Sequence, residues 1–150
     1  MRVTASIALA LSISSAPFDA AMSQGIMGAE GRCKSFKMAG HDLTRGCAGK
    51  MLNTTYPDGR VGFYFVMTDG SIVTFSGYDR PNPTPDTDLM AIDKIIVANK
   101  RSGKSDEFAA FGRCTYGNFY KGFRTVSCRA TSQDGTEHSG IFELTSAPKP

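Results

Sequence analysis

The sequence predicts an all-β protein, a small antiparallel sandwich or barrel of roughly seven to eight strands built from two pseudo-repeated disulfide hairpins. Three observations carry this. Apolar and polar residues alternate with a period of two in several segments, as in half-buried strands. Asp-Gly pairs, at Asp58-Gly59, Asp69-Gly70 and Asp134-Gly135, separate segments of this kind, as tight hairpin turns do. The four cysteines fall into two equally spaced pairs, Cys33 with Cys47 and Cys114 with Cys128. An even number of cysteines in a small exported chain reads as disulfides.

Export is predicted by the first residues. Met1-Arg2 gives a short positive start, residues 3–16 carry no charge, and Ala21-Met22-Ser23 places small residues ahead of a cut before Gln24. This order predicts a secretory signal peptide over 1–23 and a single disulfide-stabilised β domain over 24–150. The uncharged run is shorter than the ~20 apolar residues a membrane span needs. The protein is therefore expected in the periplasm or outside the cell.

The doubled pattern extends beyond the cysteines. Gly31-Arg32-Cys33 recurs as Gly112-Arg113-Cys114, and each second cysteine is followed by an Asp-Gly turn and then a strand containing Gly and Phe. These features predict pseudo-repeats at about 31–78 and 112–146, each closing its own bridge. Within them Val61, Phe63, Phe65 and Met67 share a face, as do Val126, Cys128 and Ala130, and Gly140, Phe142 and Leu144. The nearly continuous apolar run 89–97 predicts a strand covered on both faces. A helix is expected over 105–111, where Asp106 and Glu107 follow Ser105 and Phe108 and Phe111 are three apart. Residues 80–88, with three prolines, predict a surface loop, and the tail 145–150 is expected to fray.

Catalytic patterns are sparse. His41 and His138 are the only histidines, and no G-x-S-x-G or C-x-x-C occurs. His41 is expected in a turn and His138 at a barrel rim. Glu107, Glu137 and Glu143 could supply a glycosidase pair, but spacing does not pair them. Gly103-Lys104-Ser105 ends like a phosphate loop but lacks the first glycine, and Asp86 with Asp88 lacks the calcium-loop pattern. Asn53-Thr54-Thr55 is an N-glycosylation acceptor if the source is eukaryotic. These readings predict no enzyme, no metal and no cofactor.

Charge and aromatic residues give the positive signal. The net charge of +3 conceals a second hairpin, 113–129, with Arg113, Lys121, Arg124 and Arg129 and no acid, against four aspartates in 79–93. Its tip, 116–124, interleaves aromatic rings with those cations. Either the rings form a recognition tip or they fold back to cap the core, Tyr116 being expected in the core either way. The predicted binding residues are Phe119, Tyr120, Lys121, Phe123, Arg124, Arg113 and Arg129. The leading expectation is an exported, non-enzymatic module whose disulfide hairpins contact an extracytoplasmic protein, including a hydrolase that it would inhibit. The second is an envelope-associated protein that binds an anionic glycan through the basic hairpins, and the third an unfamiliar hydrolase. Nucleic acid is not expected as a partner.

Overall fold

The computed structural model describes residues 25–122 and 125–149. The expected signal segment lies outside the described residues. Nine strands follow in order: β1 (Gly25–Met38), β2 (His41–Asp42), β3 (Cys47–Thr55), β4 (Arg60–Met67), β5 (Ile72–Thr84), β6 (Thr87–Asn99), β7 (Lys104–Gly117), β8 (Thr125–Ser132) and β9 (Glu137–Leu144). Apart from β2, each strand pairs antiparallel with the next along the chain, and β9 pairs back onto β1. The result is an eight-stranded up-and-down barrel, with β2 as an added two-residue strand against the end of β1. Closure abolishes the sheet edges that a sandwich would leave open.

Turn chemistry sets the hairpins. Gly59, Gly70 and Gly135 all take positive φ, and in each case the preceding aspartate accepts the amide hydrogen of the residue after the glycine. These bonds hold the Asp69 and Asp134 carboxyls below the usual range.

An eight-stranded barrel leaves an interior that side chains just fill. Here Phe36, Phe63, Phe65, Phe75 and Phe142 are wholly buried, with Met51, Met90, Ile95 and Val126. The Phe65 ring is the hub, with centroids 5.1 Å from Phe36, 5.7 Å from Phe75 and 6.4 Å from Phe142. Gly140 faces that ring, and a Cβ there would lie 2.6 Å from its Cζ. Charged groups such as Lys94, Glu107, Arg113 and Arg129 stand on the outside, the reverse of a membrane barrel's polarity. Among the described residues no helix is long and apolar enough to cross a membrane.

The disulfides pair as the spacing predicts, Cys33–Cys47 and Cys114–Cys128. Cys114 lies directly opposite Cys128 across β7 and β8, inside the barrel. The first bridge joins β1 to β3 just beyond their paired stretch, in the same register continued. The repeated tripeptide has a packing reason at both sites. A Cβ on Gly31 would overlap the Glu143 carbonyl, and one on Gly112 the Arg129 carbonyl, so only glycine admits these backbones. Because the barrel is a meander, β1 and β7 run in opposite directions. The two disulfide hairpins therefore point to opposite ends.

Four expectations are corrected. Residues 105–111 are not a helix but part of β7, hydrogen-bonded to β6 and in its later part also to β8. So short a helix is marginal alone, whereas the strand gains ladder partners, β6 for residues 105–109 and β8 for 110–111. The run 89–97 is not covered on both faces. Asp93 is a bulge without a partner in either ladder, and it shifts the inward set from Met90 and Ile92 to Ile95. Leu89, Ala91 and Ile96 stay half-buried on the outside. The proline-rich segment is an exposed hairpin, Thr84 opposite Thr87, with Pro81 and Pro83 on the edge of β5 that β4 no longer covers and Pro85 in the turn. The tail lies back along β1, where Lys149 and Gly28 exchange two backbone bonds of 3.0 Å.

Both bridges span 14 residues, so the chain-entropy model gives them equal stabilisation of about 3 kcal/mol. Only the Cys114–Cys128 sulfurs are wholly buried, so replacing that pair by alanine also leaves a cavity. The Cys114→Ala/Cys128→Ala protein is expected to lose more stability than the Cys33→Ala/Cys47→Ala protein, each loss falling within or just above about 2–5 kcal/mol. Urea midpoints of the two variants check this.

Candidate functional site

A filled interior moves attention to the outer wall. On the face made by β7, β8, β9 and the end of β1, register places Arg113 opposite Arg129, Arg129 opposite Ser139, and Ser139 opposite Lys37. A parallel row beside it holds Phe111 opposite Thr131 and Thr131 opposite Glu137. These residues line an open groove of about 710 Å³, with Gly112 and Ala130 on its floor and Gly40 at its lip. Both arginines are exposed, and neither side chain has a hydrogen bond or ion pair among the described residues. Like charges directly opposite on adjacent strands are destabilising. Lys37 faces Asp42, whose carboxyl is held low chiefly by Thr44 and less by Lys37 and Arg45.

Arg60 shows the contrasting arrangement. Its guanidinium makes a bidentate pair with Asp93 at 2.8 and 3.1 Å, binds Ser76 at 2.9 Å and lies 4.3 Å over the Tyr78 ring. Asp93 holds that cation firmly protonated. The bulge at Asp93 aims its carboxylate at Arg60, so this arginine is structural.

The sequence-predicted site residues separate in space. Arg113 and Arg129 come together on the wall. Tyr120 and Lys121 stand exposed on the β7–β8 tip, at the barrel end where the chain turns from β7 to β8. Phe119 is a correction: it is 6% exposed and stacks on Tyr116 at 6.2 Å, which itself meets Phe63 edge-on at 4.8 Å. It caps that end of the core because a short 3-10 turn, Phe119–Lys121, capped by the Asn118 side chain, turns the ring inward. Burial, with Asp79 and Asp88 nearby, pushes the Tyr116 phenol up. Phe123 and Arg124 lie outside the described residues. Phe111, Glu137, Ser139 and Lys37 were missed as a group. The Cys114–Cys128 bridge was the available signal, since directly opposed cysteines put Arg113 opposite Arg129.

The other candidates resolve into local roles. Asn53 points inward and donates to the Gly62 carbonyl at 3.1 Å, so in the folded barrel it is no glycan acceptor. Glu143 pairs with Arg32 at 3.0 Å and with Lys34, and Glu107 with Lys94 at 3.0 Å. His41 is exposed in β2. His138 is buried at the barrel rim beside the groove, its ring 5.4 Å from that of Phe108. Its Nδ1 accepts the Ala39 amide hydrogen at 3.3 Å, so the neutral ring carries its proton on Nε2 and donates to Ser132 Oγ at 2.5 Å. A base for Ser132 would need the opposite tautomer, with Nε2 free to accept. Burial lowers the His138 pKa, opposed weakly by Asp134.

Fold and site together define a filled, disulfide-braced β-barrel whose outer wall carries a groove with two directly opposed, unpaired arginines. Comparison of the chain with protein-family models, with curated proteins and with solved structures yields no match.

Two measurements follow. Phe119→Ser is expected to cost about 3–5 kcal/mol, as for a buried ring, while Tyr120→Ser, 67% exposed, stays within about 0.5 kcal/mol. Equal thermal shifts would contradict the capping role. For His138, the folded state holds the ring neutral, so the unfolded chain binds the extra proton first. Its stabilising contribution is therefore complete above the unfolded pKa of about 6.5 and is lost as pH falls below it. Denaturant titrations from neutral to mildly acidic pH should show this fall in the native protein and a flatter profile in His138→Gln.

Proposed function

We propose that the protein is an exported, non-enzymatic binding module, periplasmic or extracellular, that holds an anionic partner against the wall formed by β7, β8 and β9. The observation that carries this is the Arg113/Arg129 pair, two exposed guanidinium groups directly opposite one another and ion-paired to none of the described acids, Glu137 in the next row included. A fold under selection for stability alone gains by placing an acid at one of those positions. Retaining both cations is explained if an anion completes the arrangement. The two disulfides fit an oxidising compartment. They also keep the presenting strands rigid, which lowers the ordering cost of binding.

A second reading keeps the partner as an exported protein, a hydrolase among the options, contacted through a hairpin tip. The exposed Tyr120 on a disulfide-closed hairpin favours it. In that case one disulfide hairpin makes the contact, because the two point to opposite ends of the barrel.

Charge reversal tests the leading reading without the usual loss of fold. Arg113→Glu turns the like-charge pair into a cross-strand ion pair with Arg129, so the melting temperature is expected to hold or rise slightly. Retention of partners from a native extracytoplasmic fraction should nevertheless be lost. In the unaltered protein, retention should fall steeply as ionic strength rises from about 0.01 M to about 1 M, where the Debye length shrinks from ~30 to ~3 Å. Retention indifferent to both changes refutes the basic wall as the site and leaves the Tyr120 tip.

A further inference from the structure

We infer that the groove on this wall is built for an acidic polysaccharide, a chain of sugars bearing carboxylates, and this rests on the anionic-partner reading above. The two rows of side chains differ in chemistry, and both are needed to see why.

The first row supplies charge. Arg113 and Arg129 together offer planar donor forks that match carboxylate geometry bidentately. Lys37 lies three strands away along the same row, about 14 Å from Arg113 at ~4.8 Å per strand. Charge spread over that length suits a linear polymer with repeated anionic groups better than a single small anion. Asp42 opposite Lys37 weakens that end, so the arginines carry most of the attraction.

Sugar-like contacts come from the second row. Phe111 is 59% exposed, a large bare ring in a wall otherwise polar, and it stands next to the arginines. Its flat face suits the C–H face of a pyranose ring. Beside it, Glu137 offers an acceptor-only carboxylate, and Thr131 and Ser139 offer hydroxyls, the set that hydrogen-bonds sugar hydroxyl groups. An acidic protein surface would use the arginines but would leave the bare ring and the row of hydroxyls beside it idle. Gly112 is exposed on the floor of the groove between the two rows.

The test uses the full mature protein and four probes in calorimetric titrations: polygalacturonate, alginate and hyaluronate fragments, and polyglutamate, which carries carboxylates without sugar rings. At least one of the uronate polymers should bind more tightly than polyglutamate. Phe111→Ala, which changes no charge, should weaken that polymer by about tenfold or more while leaving polyglutamate unchanged. Arg113→Glu should abolish both. If polyglutamate binds as well as every uronate polymer, or Phe111→Ala has no effect, the glycan inference falls while the anionic reading stands. It falls equally if no uronate polymer binds although Arg113→Glu still releases the native partner. If Arg113→Glu alters neither probe binding nor native retention, both fail together.

Discussion

An eight-stranded barrel closes around a space that must be filled by its own side chains, and the filling of this one turns on the Phe65 ring. Rings from β1, β5 and β9 meet it, and Gly140 has no side chain to block the tip of the ring against β9. Phe36 and Phe142 come from the first and last strands, so this cluster adds side-chain packing to the β1–β9 ladder that turns a meander into a closed wall. The buried disulfide adds a covalent tie in the same interior, on the adjoining β7–β8 pair. With the centre occupied in this way, recognition falls to the outside surface.

On the outside, the same residue type takes two roles that only its neighbours distinguish. Arg60 is locked by Asp93, Ser76 and Tyr78, and its charge is spent on holding β4 to β6 across β5. Arg113 and Arg129 are locked by nothing and repel one another. The bulge at Asp93 creates the difference, because it swings one carboxylate toward Arg60. Fully partnered charge, half-buried here, is architecture; exposed charge kept against its own electrostatic cost is the better pointer to a ligand.

The paired hairpins show how similar sequence serves different surroundings. Gly31 and Gly112 both accept a close carbonyl, yet Gly31 meets β9 and Gly112 meets β8. One bridge is wholly buried between directly paired residues, and the other lies half-buried where β1 leaves β3 for β9. Because the intervening strands reverse the direction of the second hairpin, the two tips cannot share one interface.

Sequence by itself determined the all-β class, the hairpin turns, the inward faces of β4, β8 and β9, and the two bridges. Each of these is local: a period of two, an Asp-Gly pair and an equal spacing are visible within a few residues. The Arg113–Arg129 juxtaposition was latent there as well, since directly opposed cysteines bring their flanking residues face to face. Tertiary structure decided the rest. Residues 105–111 carry a helix's local signals and become strand because β6 and then β8 offer them ladder partners. The run 89–97 looks evenly apolar until the Asp93 bulge splits its alternation. Phe119 turns inward because Tyr116 and Phe63 wait at the barrel's end, while Phe111 points outward from the closed sheet, where the described residues leave it exposed. A local pattern sets which way a side chain points; closure sets what it meets there.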